Sequence, residues 1–251
     1  MKKSILFFLL LWMMGGYCLA QEEEVFFPTD RPGYTWGADV LPLGKVSWEN
    51  GVCFERDPEQ RTVTAPSTIV RYGLFENVEL RVGADGQFSQ ETAALTKLSG
   101  MTPLTIGTKI KCYESDNWLP SVGLLAQLQS ARIGSKELLP SQPAPALYLL
   151  FENLVTDRFY VCYNAGMEWD GETATPTTFL SLCLGFDFTD QLGSYVETYN
   201  YLHPEGNQYL SEIGLYYFPI PRLQLDLEVD LDVEHLKDYF SVGFGVAWMI
   251  N

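Results

Sequence analysis

The chain is poor in histidine, in paired cysteines, in basic charge and, past its first twenty residues, in long apolar runs, and each shortage removes a class of protein. Only His203 and His235 could serve as imidazole bases or ligands, and Ser211 has no G-x-S-x-G context, so no nucleophile motif stands beside either. Solvated histidines in loops or at strand ends are the simpler account, and no catalytic residue is assigned. The acidic pairs Asp187 with Asp190 and Glu168 with Asp170 lack a sugar-cleft pattern. The loop acids Asp170, Glu172 and Glu205 lack calcium-loop spacing, and neither a metal nor a cofactor is assigned. Cys18, Cys53, Cys112, Cys162 and Cys183 are widely spaced with no C-x-x-C pair, which excludes a zinc-finger pattern and gives a disulfide framework little support. Against 32 acids there are 16 lysines and arginines, a net charge of −16, which argues against nucleic acid and anionic lipid head groups as ligands. Beyond residue 20 no apolar run approaches the roughly 20 residues of a membrane helix, so any membrane crossing has to be made of strands.

The first residues are of another kind. Lys2 and Lys3 form a basic start, Ile5 to Met14 an apolar run, and Cys18-Leu19-Ala20 a small-residue ending, which together predict a secretory signal peptide over residues 1–20. Lipidation at Cys18 is the alternative, and the bulky Tyr17 before it argues against it. Residues 21–45 follow as an extended periplasmic lead-in, kept out of regular pairing by Pro28, Pro32 and Pro42. Within it, Thr29-Asp30-Arg31-Pro32-Gly33 reads as a turn in preference to a segment tucked into a barrel mouth.

Residues 46–251 alternate. Leu223, Leu225, Leu227, Val229, Leu231 and Val233 interleave with Gln224, Asp226, Glu228, Asp230, Asp232 and Glu234, a period of two that predicts a strand. After a reversal near Lys237-Asp238, Tyr239 to Ile250 sets Phe240, Val242, Phe244, Val246, Trp248 and Ile250 against Ser241, Gly243, Gly245 and Ala247. Such a last strand is what an outer-membrane barrel offers its assembly machinery. The same alternation recurs from Val46 onward and predicts twelve strands of about ten residues, the length of a tilted membrane strand. Connections at Asn77, Asp116, Asp157, Asp190 and Pro221 read as tight turns, and Ser89 to Met101 and the segment ending at Pro143 as loops on the other side. A secreted β-sandwich has the same alternation. The aromatics Phe75, Trp118, Phe151, Phe159, Tyr160, Phe188, Tyr217 and Phe218 lie near the tight turns, where an interfacial girdle belongs, and favour a single closed antiparallel up-and-down transmembrane β-barrel. Cys112 falls on its outer face, and Cys53, Cys162 and Cys183 on its inner.

Thr29-Asp30-Arg31-Pro32, the run Phe75-Glu76-Asn77-Val78-Glu79-Leu80-Arg81, the run Pro103 to Lys109, Asn164 to Glu172, Phe188-Thr189-Asp190 and the last strand together resemble a bacterial outer-membrane β-barrel transporter family labelled with the MetA pathway of phenol degradation. The resemblance covers essentially the whole mature chain. It implies a small porin-like barrel that passes hydrophobic or other small solutes, and no defined chemistry.

The carboxylate row is the strongest functional signal. Neighbours on one strand face stand about 6.8 Å apart and repel by about 2.4 kcal/mol at an effective dielectric near 20. Either water fills the bore or cations neutralise the row, with Arg71, Arg81, Lys109 and Lys111 as candidates and Glu79 beside them. The expected function is a passive outer-membrane channel for small solutes, lined by Asp226, Glu228, Asp230, Asp232, Glu234, Arg71, Glu79, Arg81, Lys109 and Lys111. The alternative is a non-conducting barrel, a surface scaffold whose narrow lumen is closed by internal salt bridges. A closed barrel in outer-membrane lipid will migrate faster on a gel when left unboiled; identical migration with and without boiling would remove the barrel.

Overall fold

The computed structural model describes residues 26–116, 118–233 and 239–250, so the expected leader, Asn117, Glu234, His235 and the reversal at Lys237-Asp238 lie outside the described residues. Thirteen strands follow the lead-in: β1 (Val46–Arg56), β2 (Gln60–Phe75), β3 (Val78–Glu91), β4 (Lys97–Met101), β5 (Thr105–Tyr113), β6 (Ser121–Gln129), β7 (Ala144–Thr156), β8 (Phe159–Glu168), β9 (Thr177–Asp187), β10 (Leu192–His203), β11 (Gly206–Ile220), β12 (Leu223–Asp232) and β13 (Phe240–Met249). They make one antiparallel sheet, and it closes: β1 pairs with β13 from Ser47 opposite Met249 to Arg56 opposite Phe240. Closure gives the backbone of every stave a partner on both sides, the condition for strands to cross hydrocarbon.

Thirteen strands make twelve staves because β4 and β5 lie end to end along β3, which pairs with β4 through residues 86–90 and with β5 through residues 78–83. Pro103, which has no N–H to donate, falls in the break. Ser89 to Met101, expected as a loop, is therefore in large part a hairpin whose return strand is β4. Nothing in Lys97-Leu98-Ser99-Gly100-Met101 is long enough to show alternation, and pairing with the overhanging end of β3 makes it a strand. At the other end of the barrel, 76–77, 157–158 and 221–222 are two-residue turns, while the β5–β6 connection spans residues 114–120 and is longer than the tight turn expected at Asp116.

Sidedness follows the alternation. On β12, Gln224 and Asp226 are 2% and 7% exposed, whereas Leu225 between them is 45% exposed, the reverse of two sheets stacked on an apolar core. Trp48, Phe54, Leu184, Ile213, Phe244 and Trp248 belong to the same outer surface. An apolar surface this continuous belongs against lipid. Of the aromatics near the turns, Phe75, Trp118, Phe188 and Tyr217 face out, but Phe218 is buried and Tyr160 packs in the lumen beside Cys162 and Cys183. Their parity puts them inside: Tyr160 shares its face with Cys162 and Asn164, and Phe218 follows a register shift after Tyr217.

Four inward tyrosines lie directly opposite glycines on the next strand, Tyr148 over Gly166, Tyr160 over Gly185, Tyr195 over Gly214 and Tyr216 over Gly193. Each ring covers a site with no side chain, so it lies along the wall instead of across the bore. A Cβ on Gly214 would collide with the Tyr195 ring. Gly214→Val will therefore cost about 1–3 kcal/mol of overpacking, seen as a lower urea midpoint for loss of the fast-migrating band. Leu215→Val on the lipid side will leave the midpoint near that of the parent, and equal midpoints for both variants would refute the Tyr–Gly contact as a constraint.

Candidate functional site

Alternation on neighbouring staves brings isolated charges to one place inside the barrel. Arg71 on β2 forks onto Glu79 of β3, with Nε to Oε1 at 2.9 Å and Nη2 to Oε2 at 2.8 Å, and its Nη1 reaches Glu49 of β1 at 2.8 Å. A planar guanidinium suits this two-sided grip. Arg81 on β3 and Lys109 on β5 complete three buried bases against two acids. The third acid comes from the lead-in: Asp30 pairs with Arg81, with Lys109 at 2.7 Å and with Arg71 at 3.6 Å. Burial works against the Asp30 carboxylate, but Arg71, Arg81 and Lys109 outweigh it and hold its carboxyl far below the usual carboxylate range.

The next residue turns the other way. Arg31 Nη2 lies 3.0 Å from Asp226 and 3.6 Å from Glu228 of β12. Of the two alternatives for the β12 row, a water-filled bore or neutralisation by candidate bases, Arg71, Arg81 and Lys109 do not supply the second, since they are taken by Asp30, Glu49 and Glu79. Between them and β12 stand β13 and β1, whose inward residues include Gly245 and Gly51, directly opposite each other. Arg31 occupies that gap, and a Cβ on either glycine would collide with its guanidinium. Lys111 sits apart, 3.4 Å from Asp39 and 2.9 Å from Glu114.

Thr29 to Gly33 is thus no surface turn. Phe26 and Phe27 pack on Phe218 near the tight-turn end, at ring separations of 5.0 and 6.3 Å. The chain then runs up the lumen to Tyr34 and Trp36 and returns to β1. Without regular structure of its own, the segment gives its backbone N–H groups to the wall. Asp30 donates to Glu49 (3.2 Å), Gly33 to Glu228 (3.3 Å), and Tyr34 and Thr35 to Glu197 of β10 (2.6 and 2.9 Å). Trp36 donates to the Asn164 side chain of β8 (2.8 Å), Ala38 to Glu152 of β7 (2.9 Å) and Leu41 to Glu79 (2.9 Å). Buried N–H groups need partners, and carboxylates are the strong acceptors. At the tip, Tyr34 stacks on Tyr199 at 4.3 Å and Trp36 meets Tyr148 at 4.9 Å, so the segment crosses the bore on aromatic contacts. On the tight-turn side of this plug a cavity of about 790 Å³ remains, with Asp157, Arg158, Asp187, Asp190 and Tyr216 among its walls.

Of the residues expected to line a path, Asp226, Glu228, Asp230, Arg71, Glu79, Arg81 and Lys109 face the lumen and are buried, and Asp230 accepts the Tyr199 hydroxyl at 2.6 Å. Asp232 is partly exposed at the long-loop end, and Glu234 is outside the described residues. Glu152, Glu197, Glu212, Asn164 and the Asp30-Arg31 pair went unnoticed as site residues. The period-two parity was a signal for the wall residues, but nothing marked main chain as their partner. His203 accepts the backbone N–H of Glu205 at 3.2 Å. Ser211 shares the lipid-facing parity of Ile213 and Leu215. No cluster suited to a metal occurs among the described residues.

A closed twelve-stave barrel with an apolar outer wall and a charged, plugged bore defines a bacterial outer-membrane β-barrel protein. Residues 29–250 match the family described as "Putative MetA-pathway of phenol degradation", and the chain belongs to that family. No curated protein matches the sequence. Among solved structures it is similar to the COG4313 outer membrane channel from Pseudomonas putida F1, with a TM-score of 0.68 and 12% identity over 88% of this chain and 99% of that one. It is also similar to a KdgM porin in complex with disordered oligogalacturonate (TM-score 0.59, 12% identity, 82% of this chain and 99% of that one) and to the NanC porin (0.56, 9%, 80% and 98%). At these identities the likeness is one of fold.

Replacing Asp30 with Asn leaves three buried bases facing two acids, and breaking a buried pair in this way costs about 3–5 kcal/mol. In Asp30→Asn, chymotrypsin cleavage after Tyr34 or Trp36 will rise about ten-fold or more while the barrel stays closed, as read by mass spectrometry and gel migration. Cleavage no faster than in the parent would mean that charge does not hold the segment.

Proposed function

We propose that this protein is a passive outer-membrane channel for small solutes, closed by residues 26–44 and opened when they leave the lumen. In this reading residues 1–20 are the leader, residues 21–45 the periplasm-side lead-in and residues 46–251 the barrel, which reaches outer-membrane lipid through the assembly machinery's recognition of Tyr239 to Ile250. The observation that carries the proposal is how the plug is held. Its main chain and its Asp30-Arg31 pair are bound by wall side chains that need no covalent change to release it. Asp226, Glu228, Asp230, Asp232 and Glu234, with Arg71, Glu79, Arg81, Lys109 and Lys111, would line the vacated path. Glu49, Glu152, Glu197 and Glu212 add to the acids of this wall, which makes it cation-preferring. The fold it shares with structures called porins and channels supports the same reading. No role is assigned to catalysis.

The filled bore favours a second reading, a non-conducting scaffold, and one experiment separates the two. In planar bilayers the parent protein will show rare, small conductance steps. Gly245→Val, which fills the space under Arg31, and Asp30→Asn will each raise open occupancy about ten-fold or more, with currents carried by cations. Silence from all three proteins defeats the channel and leaves the scaffold; anion selectivity defeats the role of the acidic wall.

A further inference from the structure

We infer that the cavity on the tight-turn side of the plug binds a small cationic aromatic solute, a protonated amine carried on a ring. The inference rests on the channel reading only for the route by which such a solute arrives. At about 790 Å³ the cavity is in the size range of small-molecule sites. Its wall on β8, β10 and β11 is tyrosine: Tyr160, Tyr195 and Tyr216, with the Tyr160 and Tyr216 hydroxyls 3.3 Å apart. These rings lie over Gly185, Gly214 and Gly193, and all three line the cavity. Phe27 and Phe218 also line it, Phe218 two residues beyond Tyr216 on β11 with their rings 6.4 Å apart. Such a surface accepts a flat ring, and the negative face of each tyrosine attracts a cation.

Charge then selects among ring-bearing solutes. Asp187 at the end of β9 and Asp157 and Asp190 in the turns after β7 and β9 stand around the cavity; Asp39, Glu152 and Glu197 also line it, but Asp39 pairs with Lys111 and the two glutamates accept N–H groups of the plug. Asp187 is held in place by the Tyr216 hydroxyl, which donates to Oδ1 at 2.6 Å. Three bases also line the space, but two of them are committed to the plug contacts: Arg31 to Asp226 and Lys109 to Asp30. The third, Arg158, donates through Nη1 to the carbonyl of Phe188 at 2.9 Å. The surplus is negative at the mouth, where Asp157, Asp187 and Asp190 face Arg158 alone. An ammonium group gains from both the carboxylates and the ring faces; a neutral phenol or alcohol gains from the rings alone, and a carboxylate is repelled.

The test is calorimetric titration of the refolded full-length protein at low ionic strength with benzylammonium, benzyl alcohol and benzoate. Benzylammonium is expected to bind about ten-fold or more tightly than either of the others. Asp190→Asn, at an exposed turn where folding is not at stake, and the double variant Asp187→Asn with Asp190→Asn are expected to remove about that ten-fold preference while leaving benzyl alcohol unchanged. Equal affinities for the three probes, no heat with benzylammonium, or an unaltered preference in the double variant overturns the proposal. Conductance is not read in this titration, so a barrel that passes no current can still bind the amine, and a conducting barrel can still fail to.

Discussion

Asp30 and Arg31 are adjacent in the chain, opposite in charge, and drawn to different parts of the wall, and the rest of the lumen is arranged around that division. Asp30 supplies the third acid that balances Arg71, Arg81 and Lys109, and Arg31 supplies the base that the Asp226 and Glu228 row lacks. Remove the dipeptide and both groups carry uncompensated buried charge, positive on β2, β3 and β5 and negative on β12. The wall is consequently incomplete without the lead-in. Buried ion pairs often add little net stability, but leaving one partner alone is costly, and that asymmetry gives the segment a single register in the bore.

The small residues of the last strand acquire a second meaning from this. Ser241, Gly243, Gly245 and Ala247 are the inward row of β13, and in the sequence they read as the plain side of an amphipathic strand. In the barrel, a Cβ at Gly245 or at Gly51 would meet Arg31, and a Cβ at Gly243 would meet Glu228. At β1 and β13 the thin wall makes the room that the Arg31 side chain fills. Along β8 to β11 the wall is thin for a different purpose: glycines there receive tyrosine rings, which lie flat and leave the cavity open.

Strand existence, facing and closure were legible from period-two alternation, most clearly at Leu223 to Asp232, because a lipid-facing wall imposes one constraint on every second residue. The broken stave was not, since β4 owes its extension to the overhang of β3 and has no pattern of its own. Tyr160 and Phe218 misled because closeness to a turn says nothing about which side a ring takes; parity does. The site was legible in part. Acids and bases were placed on the inner face, with water or the bases of β2 to β5 as alternatives facing the β12 row, whose base is instead Arg31 of the lead-in. A carboxylate that accepts main-chain N–H groups, as Glu152 and Glu197 do, has no partner side chain to be found by inspection, and the donor lies more than a hundred residues away.

That partnership has a consequence for how closing and selecting relate. Glu49, Glu79, Glu152, Glu197 and Glu228 hold the plug by accepting its N–H groups, and in the channel proposed above the same carboxylates would face a solute once the plug had left. Ordering residues 26–44 against the wall opposes closure through lost chain entropy, and the contacts must exceed that loss for the bore to stay shut. A donor-rich or cationic solute offers the wall the same kind of group without that entropic cost. In that channel solute and plug would be alternative occupants of one set of acceptors, so the affinity of the wall for a solute and its tendency to release the plug could not be tuned independently. A mutation that removes a wall acid weakens both, whereas one that thickens the glycine floor beneath Arg31 disfavours the plug and leaves the carboxylates in place.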